Sequence, residues 1–199
     1  METETRGADR AVALAADPRW SLISSEPYPL LIGGRLVPAQ DGAVFPAISP
    51  RDDQPVARIS QAGAADVAAA VAAARTAFDE GPWGRSTARD RTAALLRIAD
   101  QIEAHADELA FLESVDAGKP IGSVHYSDLP ISLDSLRYFG GRARTTRGST
   151  AEMPDAAVIH HERVEPLGVV AEILPWNGPL WTGVQRLAAI LAAGNAAIV

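Results

Sequence analysis

Between Gly168 and Val199 the chain reads strand, helix, strand with no slack between the pieces. Gly168 to Leu174 (Gly-Val-Val-Ala-Glu-Ile-Leu) is a short, mostly apolar run of the kind that suits a buried parallel strand. Pro179 to Ala193 places Val184, Leu187 and Leu191 on one helical stripe, with Gly194 as its C-cap. Ala196-Ala197-Ile198-Val199 opens a second strand. A strand–helix–strand unit in one sheet is parallel and almost always right-handed, so this segment commits the chain to the α/β class. Two strands rarely make a stable sheet, and Ile198-Val199 leaves an apolar edge to be paired. The expectation is the front part of a larger α/β protein.

Upstream, residues 1–26 mix charges with small residues and read as a mobile amino-terminal arm, closed by the punctuation Glu26-Pro27-Tyr28-Pro29. Leu30 to Val37 reads as two short strands around a Gly33-Gly34 hairpin turn. Val44 to Ile59, with three prolines, reads as edge strands and turns. Ala64 to Phe78 is helical, with Val67, Val71, Ala74 and Phe78 on one stripe and Asp66 in the first turn. Ser86 is the expected N-cap of a second helix whose apolar face is Leu95, Ile98 and Ile102, and Asp107 the expected cap of a third that ends at Gly118. A fourth starts near Asp128, with Pro130 in its first turn, and runs through Leu136 and Phe139. Val158 to Glu165 alternates and predicts a strand.

Charge and composition narrow the function classes. The chain has 25 acids against 18 bases, a net charge of −7 and no basic block, which argues against nucleic acid and anionic membrane as partners. No apolar run approaches the roughly 18 residues of a membrane helix, and the acidic Met1-Glu2-Thr3-Glu4 start is unlike a signal peptide, so the expected location is cytoplasmic. The 199 residues hold no cysteine, hence no disulfide, thiolate metal site or cysteine nucleophile of their own. Abundant alanine and a single lysine, Lys119, read as coding bias.

The strongest local signal is Ile173-Leu174-Pro175-Trp176-Asn177-Gly178-Pro179, the carboxyl end of a buried strand turning into a helix. Open α/β sheets place ligands at that end. Asn177 has two uses there. It can cap the helix, the commoner role of Asn before a helix, or its carboxamide can donate to a developing oxyanion. Other candidates carry less. His160 and His161 are adjacent on a strand and point to opposite faces, against a shared metal. Lys119, between Gly118 and Pro120, reads as an exposed loop lysine rather than a Schiff-base former.

Several segments in order resemble the aldehyde dehydrogenase superfamily over residues 30 to 199. They are Leu31-Ile32-Gly33-Gly34, Ile48-Ser49-Pro50, Ala77-Phe78, Glu113 to Pro120, Leu136 to Gly141, Val164 to Val169, Pro175-Trp176-Asn177-Gly178-Pro179 and Ala193-Gly194-Asn195. The resemblance implies the amino-terminal part of that fold: a helical layer, β-hairpins and the first strand–helix–strand of a Rossmann-like parallel sheet. It implies an incomplete NAD(P)-binding domain at 27–150 and 166–199, and a β element of the subunit-association domain at 151–165. It further implies oxidation of an aldehyde to a carboxylic acid with NAD or NADP. In the family a cysteine thiolate attacks the aldehyde, hydride leaves for the cofactor, and water hydrolyses the thioester with a glutamate as general base. Asn177 matches the oxyanion-stabilising asparagine. Ile173, Leu174, Pro175 and Trp176 match the wall of the adenosine pocket.

The family's cysteine and glutamate have no counterpart in these residues, so the resemblance implies a truncated and inactive portion. The alternative is a non-catalytic module that pairs through its β segment with a full-length subunit; a homo-oligomer is the related expectation. Gly178 stands where the family usually has Phe or Tyr. That predicts a wall behind Asn177 without its aromatic, and a looser backbone.

Overall fold

The computed structural model describes residues 17–199, so the expected arm lies outside the described residues as far as residue 16. From there the chain is docked. Asp17 caps a 3₁₀ turn at Pro18–Leu22, and Trp20 meets Phe111 edge-on at 5.4 Å between ring centroids. Two antiparallel hairpins follow, β1 (Leu30–Ile32) with β2 (Arg35–Val37), and β3 (Val44–Ile48) with β4 (Pro55–Ser60). Gly33 and Gly34 both take positive φ (59° and 75°), as a two-residue turn of matching twist requires.

The helical layer comprises α1 (Ala64–Asp79), α2 (Ala88–Ala104), α3 (Ala106–Ala117), the single turn α4 (Ile121–Ser123) and α5 (Leu129–Ala143). Their starts differ from the sequence expectation in two places. Thr87, not Ser86, caps α2: its hydroxyl accepts from the Asp90 amide while Asp90 accepts from the Thr87 amide, a reciprocal capping box. Ser86 instead donates to Trp83 O. His105, not Asp107, stands at the start of α3, leaving Asp107 in the first turn to face the helix dipole. The fourth long helix, α5, starts at Leu129 beside Asp128 as expected, and the chain enters it from the single turn α4 through a π turn at Val124–Asp128 in which the Leu129 amide donates five residues back to Val124 O. Pro130 has no N–H and its ring crowds the carbonyl four residues earlier; a widened turn just before it accommodates both facts.

A last segment carries β5 (Thr150–Ala151), β6 (His160–His161), β7 (Val169–Ala171), α6 (Pro179–Ala192) and β8 (Ala196–Ile198). β7 and β8 pair in parallel, Val169 opposite Ala196 and Ala171 opposite Ile198, with α6 as the crossover. α1 lies against both strands. The expected strand over Val158–Glu165 is shorter: only His160–His161 pairs, with Thr150–Ala151. Beyond it the Glu162 amide still donates to Ser149 O at 2.7 Å, and Arg163-Val164-Glu165 is exposed and outside any strand.

α2, α5 and α6 meet in one core of Leu95, Ala99, Leu136, Ala143, Ala188 and Ala192. Leu95 and Leu136 are essentially fully buried, each burial contributing about 1.5–3 kcal/mol. The alanines have work here beyond composition: small side chains let the helices approach until Thr92 Oγ1, on α2, donates to Gly140 O, on α5, at 2.7 Å. A second cluster, Ala110, Val124 and Leu129, receives Leu180 from the first turn of α6. The far end of α6 is tied by Arg91, whose Nε donates to Ala192 O at 2.9 Å, a cation on the negative helix end. Asn195 then pins the two strands, its Oδ1 accepting from the Gly168 amide at 2.9 Å. Both ends of the crossover helix are therefore fixed, and so is the turn that feeds it.

Candidate functional site

The turn from β7 into α6 holds all five predicted site residues. Ile173 is 91% exposed and Trp176 84%, with Leu174 and Pro175 half-buried between them. Leu174 anchors the segment, its Cδ1 lying 3.2 Å from where a Cβ on Gly183 of α6 would be. The Ile173 carbonyl accepts from Arg186 Nη1 at 3.1 Å, which ties the strand end to the helix behind it. The result is two large apolar side chains standing free at the carboxyl end of a parallel strand, a surface suited to the flat face of a base.

Asn177 is exposed and lies one residue before the helix cap. The cap residue is Gly178, in extended backbone (φ −164°) with no side chain to offer, and the first helical bond runs from the Thr182 amide to Gly178 O at 3.0 Å. Asn177 thus takes no part in capping, the use that residue type alone favours. Its carboxamide remains free at the strand end.

The space that a side chain at position 178 would need is already taken. The Trp181 indole lies over Gly178, so that a Cβ added there would overlap Nε1 and fall 2.8 Å from Cδ1. An aromatic group is present, supplied from one helical turn later, and the glycine is the space it needs. Gly178→Phe should therefore displace the indole and cost about 1–3 kcal/mol of stability. Paired with Trp181→Leu, the same substitution should cost markedly less. A urea-unfolding double-mutant cycle measures this; additive effects would contradict the packing.

Lys119 is not an exposed loop lysine. Its side chain is 21% exposed, Nζ lies 3.1 Å from Glu113 Oε1 and also bonds Asp128 Oδ2. Glu113 and Asp128 are nearly buried, at 4% and 5%. Burial pushes the Glu113 carboxyl up, and the Lys119 and Leu180 N–H bonds only partly offset it. Burial pulls the Lys119 ammonium down, but Asp128 and Glu113 outweigh it and its pKa is raised. Glu113 Oε2 accepts from the Leu180 amide at 3.1 Å, so the triad reaches the first turn of α6, next to Asn177.

Sequence reasoning passed over Glu172, an acid at the end of β7. Its side chain is 3% exposed, neither oxygen has a hydrogen-bond partner, and Arg186 Nε stands 3.7 Å away. The signal was a lone acid inside Gly-Val-Val-Ala-Glu-Ile-Leu. Burial raises its pKa, with Arg186 opposing. The unfolded chain releases this proton at lower pH than the folded one, so stability falls as pH rises from about 4.3 through the raised value. Glu172→Gln should remove that decline. Thermal midpoints of both proteins across this range decide it; parallel curves would contradict the assignment.

His160 is half-buried and His161 exposed, and no group of three metal-ligating side chains occurs among the described residues. An apolar cavity of about 410 Å³ is lined by Tyr28, Ile59, Leu112, Glu113, Val115 and Leu180. None of residues 173–177 borders it, so it is separate from the Asn177 turn. Among the described residues no helix is long and apolar enough to cross a membrane.

Comparison with known proteins shows the family and the fold. The chain is 41% identical over 172 residues to an acetaldehyde dehydrogenase of Pseudomonas aeruginosa, covering 86% of this chain and 33% of that protein. It is 38% identical over 193 residues to a mitochondrial benzaldehyde dehydrogenase of Antirrhinum majus, covering 95% and 35%. The NAD+ complex of an aldehyde dehydrogenase from Bacillus cereus superposes with a TM-score of 0.86 at 34% identity, over 91% of this chain and 37% of that one. The chain spans about a third of the length of the curated relatives it matches. The family described as "Aldehyde dehydrogenase family" matches residues 36–199, and with the parallel β7–β8 unit in place the chain belongs to that family.

Proposed function

We propose that this chain supplies the oxyanion donor and part of the cofactor wall for NAD(P)-dependent oxidation of an aldehyde to a carboxylic acid. The observation that carries it is Asn177: exposed, at the carboxyl end of a parallel strand, and released from helix capping. In this reading its Nδ2 donates to the oxygen that gains negative charge when a nucleophile adds to the aldehyde carbon. Ile173, Leu174, Pro175 and Trp176 would hold the adenosine end of the cofactor, and the exposed Ile173 and Trp176 fit a flat, apolar-faced group. When bound, that cofactor accepts the hydride.

The 199 residues contain no cysteine, so they offer no thiolate to the carbonyl and do not turn over an aldehyde by themselves. Residues 27–150 and 166–199 form the cofactor-binding part in this reading, and 151–165 an element for subunit association. Ile159 (88% exposed), Val164 (61%) and Leu167 (87%) favour a second role, in which the β5–β6 segment pairs with a full-length subunit.

The test is a chimera in which residues 30–199 replace the matching third of the Pseudomonas aeruginosa acetaldehyde dehydrogenase. NADH production from acetaldehyde by the chimera is the expected result. A folded, NAD-binding chimera without turnover would overturn the proposal.

A further inference from the structure

Helix α6 starts with an unusual distribution of donors. Gly178 offers no side-chain acceptor and Pro179 has no N–H, so the amides left without an intrahelical partner in the first turn are those of Leu180 and Trp181. A capping side chain reaches the second or third residue beyond itself. For Asn177 those are Pro179, which has nothing to donate, and Leu180. The Leu180 amide is therefore the one donor by which Asn177 could be drawn into the cap. That donor is already taken: Glu113 Oε2, from α3, accepts it at 3.1 Å.

Glu113 is held for this task from several sides. Its other oxygen accepts from Lys119 Nζ at 3.1 Å, and the same ammonium bonds Asp128 from the π turn. The Leu180 side chain packs against the Ala110, Val124 and Leu129 cluster, which fixes the amide relative to α3. The carboxylate also sits at the positive end of the helix, where a negative charge is favoured.

We propose that Glu113 is a positioning residue for Asn177. By occupying the Leu180 amide it keeps the Asn177 carboxamide out of the helix cap and open to a ligand. This rests on the reading of Asn177 as the oxyanion donor, but the competition for one amide is measurable without catalysis.

The test is amide hydrogen exchange and side-chain carboxamide NMR on the full chain. Asn177→Ala should leave Leu180 exchange unchanged. Glu113→Ala should shift and immobilise the Asn177 carboxamide as its oxygen takes over the amide. Only Glu113→Ala with Asn177→Ala should speed Leu180 exchange by about tenfold or more, the loss of roughly one hydrogen bond. Glu113→Gln, which keeps an acceptor oxygen, should restore the wild-type Asn177 signals. The Ala188 and Ala192 amides, in the core, report whether α6 stays folded. Should Glu113→Ala unfold, Glu113→Asp withdraws the oxygen while keeping the charge beside Lys119, and should give the same Asn177 response. Faster Leu180 exchange in Asn177→Ala alone, or an unmoved Asn177 carboxamide in Glu113→Ala and Glu113→Asp, would overturn the proposal. In the chimera, an Asn177→Ala variant with undiminished turnover would sink the oxyanion reading while leaving this competition standing.

Discussion

Lys119→Met is expected to destabilise the chain by about 3–5 kcal/mol, the range seen when one partner of a buried ion pair is removed. The two carboxylates it serves, Glu113 and Asp128, are 4% and 5% exposed and would be left facing each other without a cation. The loss should spread beyond the triad. Asp128 lies in the π turn and Glu113 holds the Leu180 amide, so α3, the π turn and the start of α6 loosen together. Lys119→Met with Glu113→Gln and Asp128→Asn should recover most of the stability, because it is the stranded charge that costs, not the absence of the pair. Urea unfolding of the three proteins measures both effects; a Lys119→Met loss under about 1 kcal/mol, the worth of a surface pair, would contradict the burial. The pH dependence has a definite sign. Lys119 has a raised pKa, so its contribution is complete below about 10.4 and is lost as pH rises through the raised value.

What the sequence made legible was local. The Gly33-Gly34 turn, the α1 helix, the Gly118 helix end and the β7–α6–β8 unit each follow from residues a few positions apart, and each lies where its pattern placed it, although Val67 and Val71 of the α1 stripe are exposed. The misread features depend on distance. Gly-Lys-Pro has the local pattern of a loop, and nothing near it announces that Lys119 is served by carboxylates six residues before and nine after. Asn177 beside a helix looks like a cap until a carboxylate 67 residues before Leu180 takes the available amide. Val158–Glu165 alternates over eight residues, but strand length is set by its partner, and Thr150–Ala151 offers only two.

Asn177→Ala separates chemistry from folding. The side chain is exposed and outside the cap, so its truncation should change stability by no more than about 0.5 kcal/mol. A donor aimed at a developing oxyanion is worth far more in the transition state, about 2.7–4 kcal/mol, or roughly 10²–10³ in kcat. Asn177→Asp should be at least as damaging, because an ionised carboxylate has no proton to donate and repels the charge it faces. The direct measurement is kcat for acetaldehyde oxidation by the chimera and its Asn177→Ala twin, with unfolding midpoints determined on the same samples. A fall of about 10²–10³ in kcat at equal stability is the expected result; equal kcat values, or a fall matched by lost stability, would show that Asn177 does not stabilise the oxyanion.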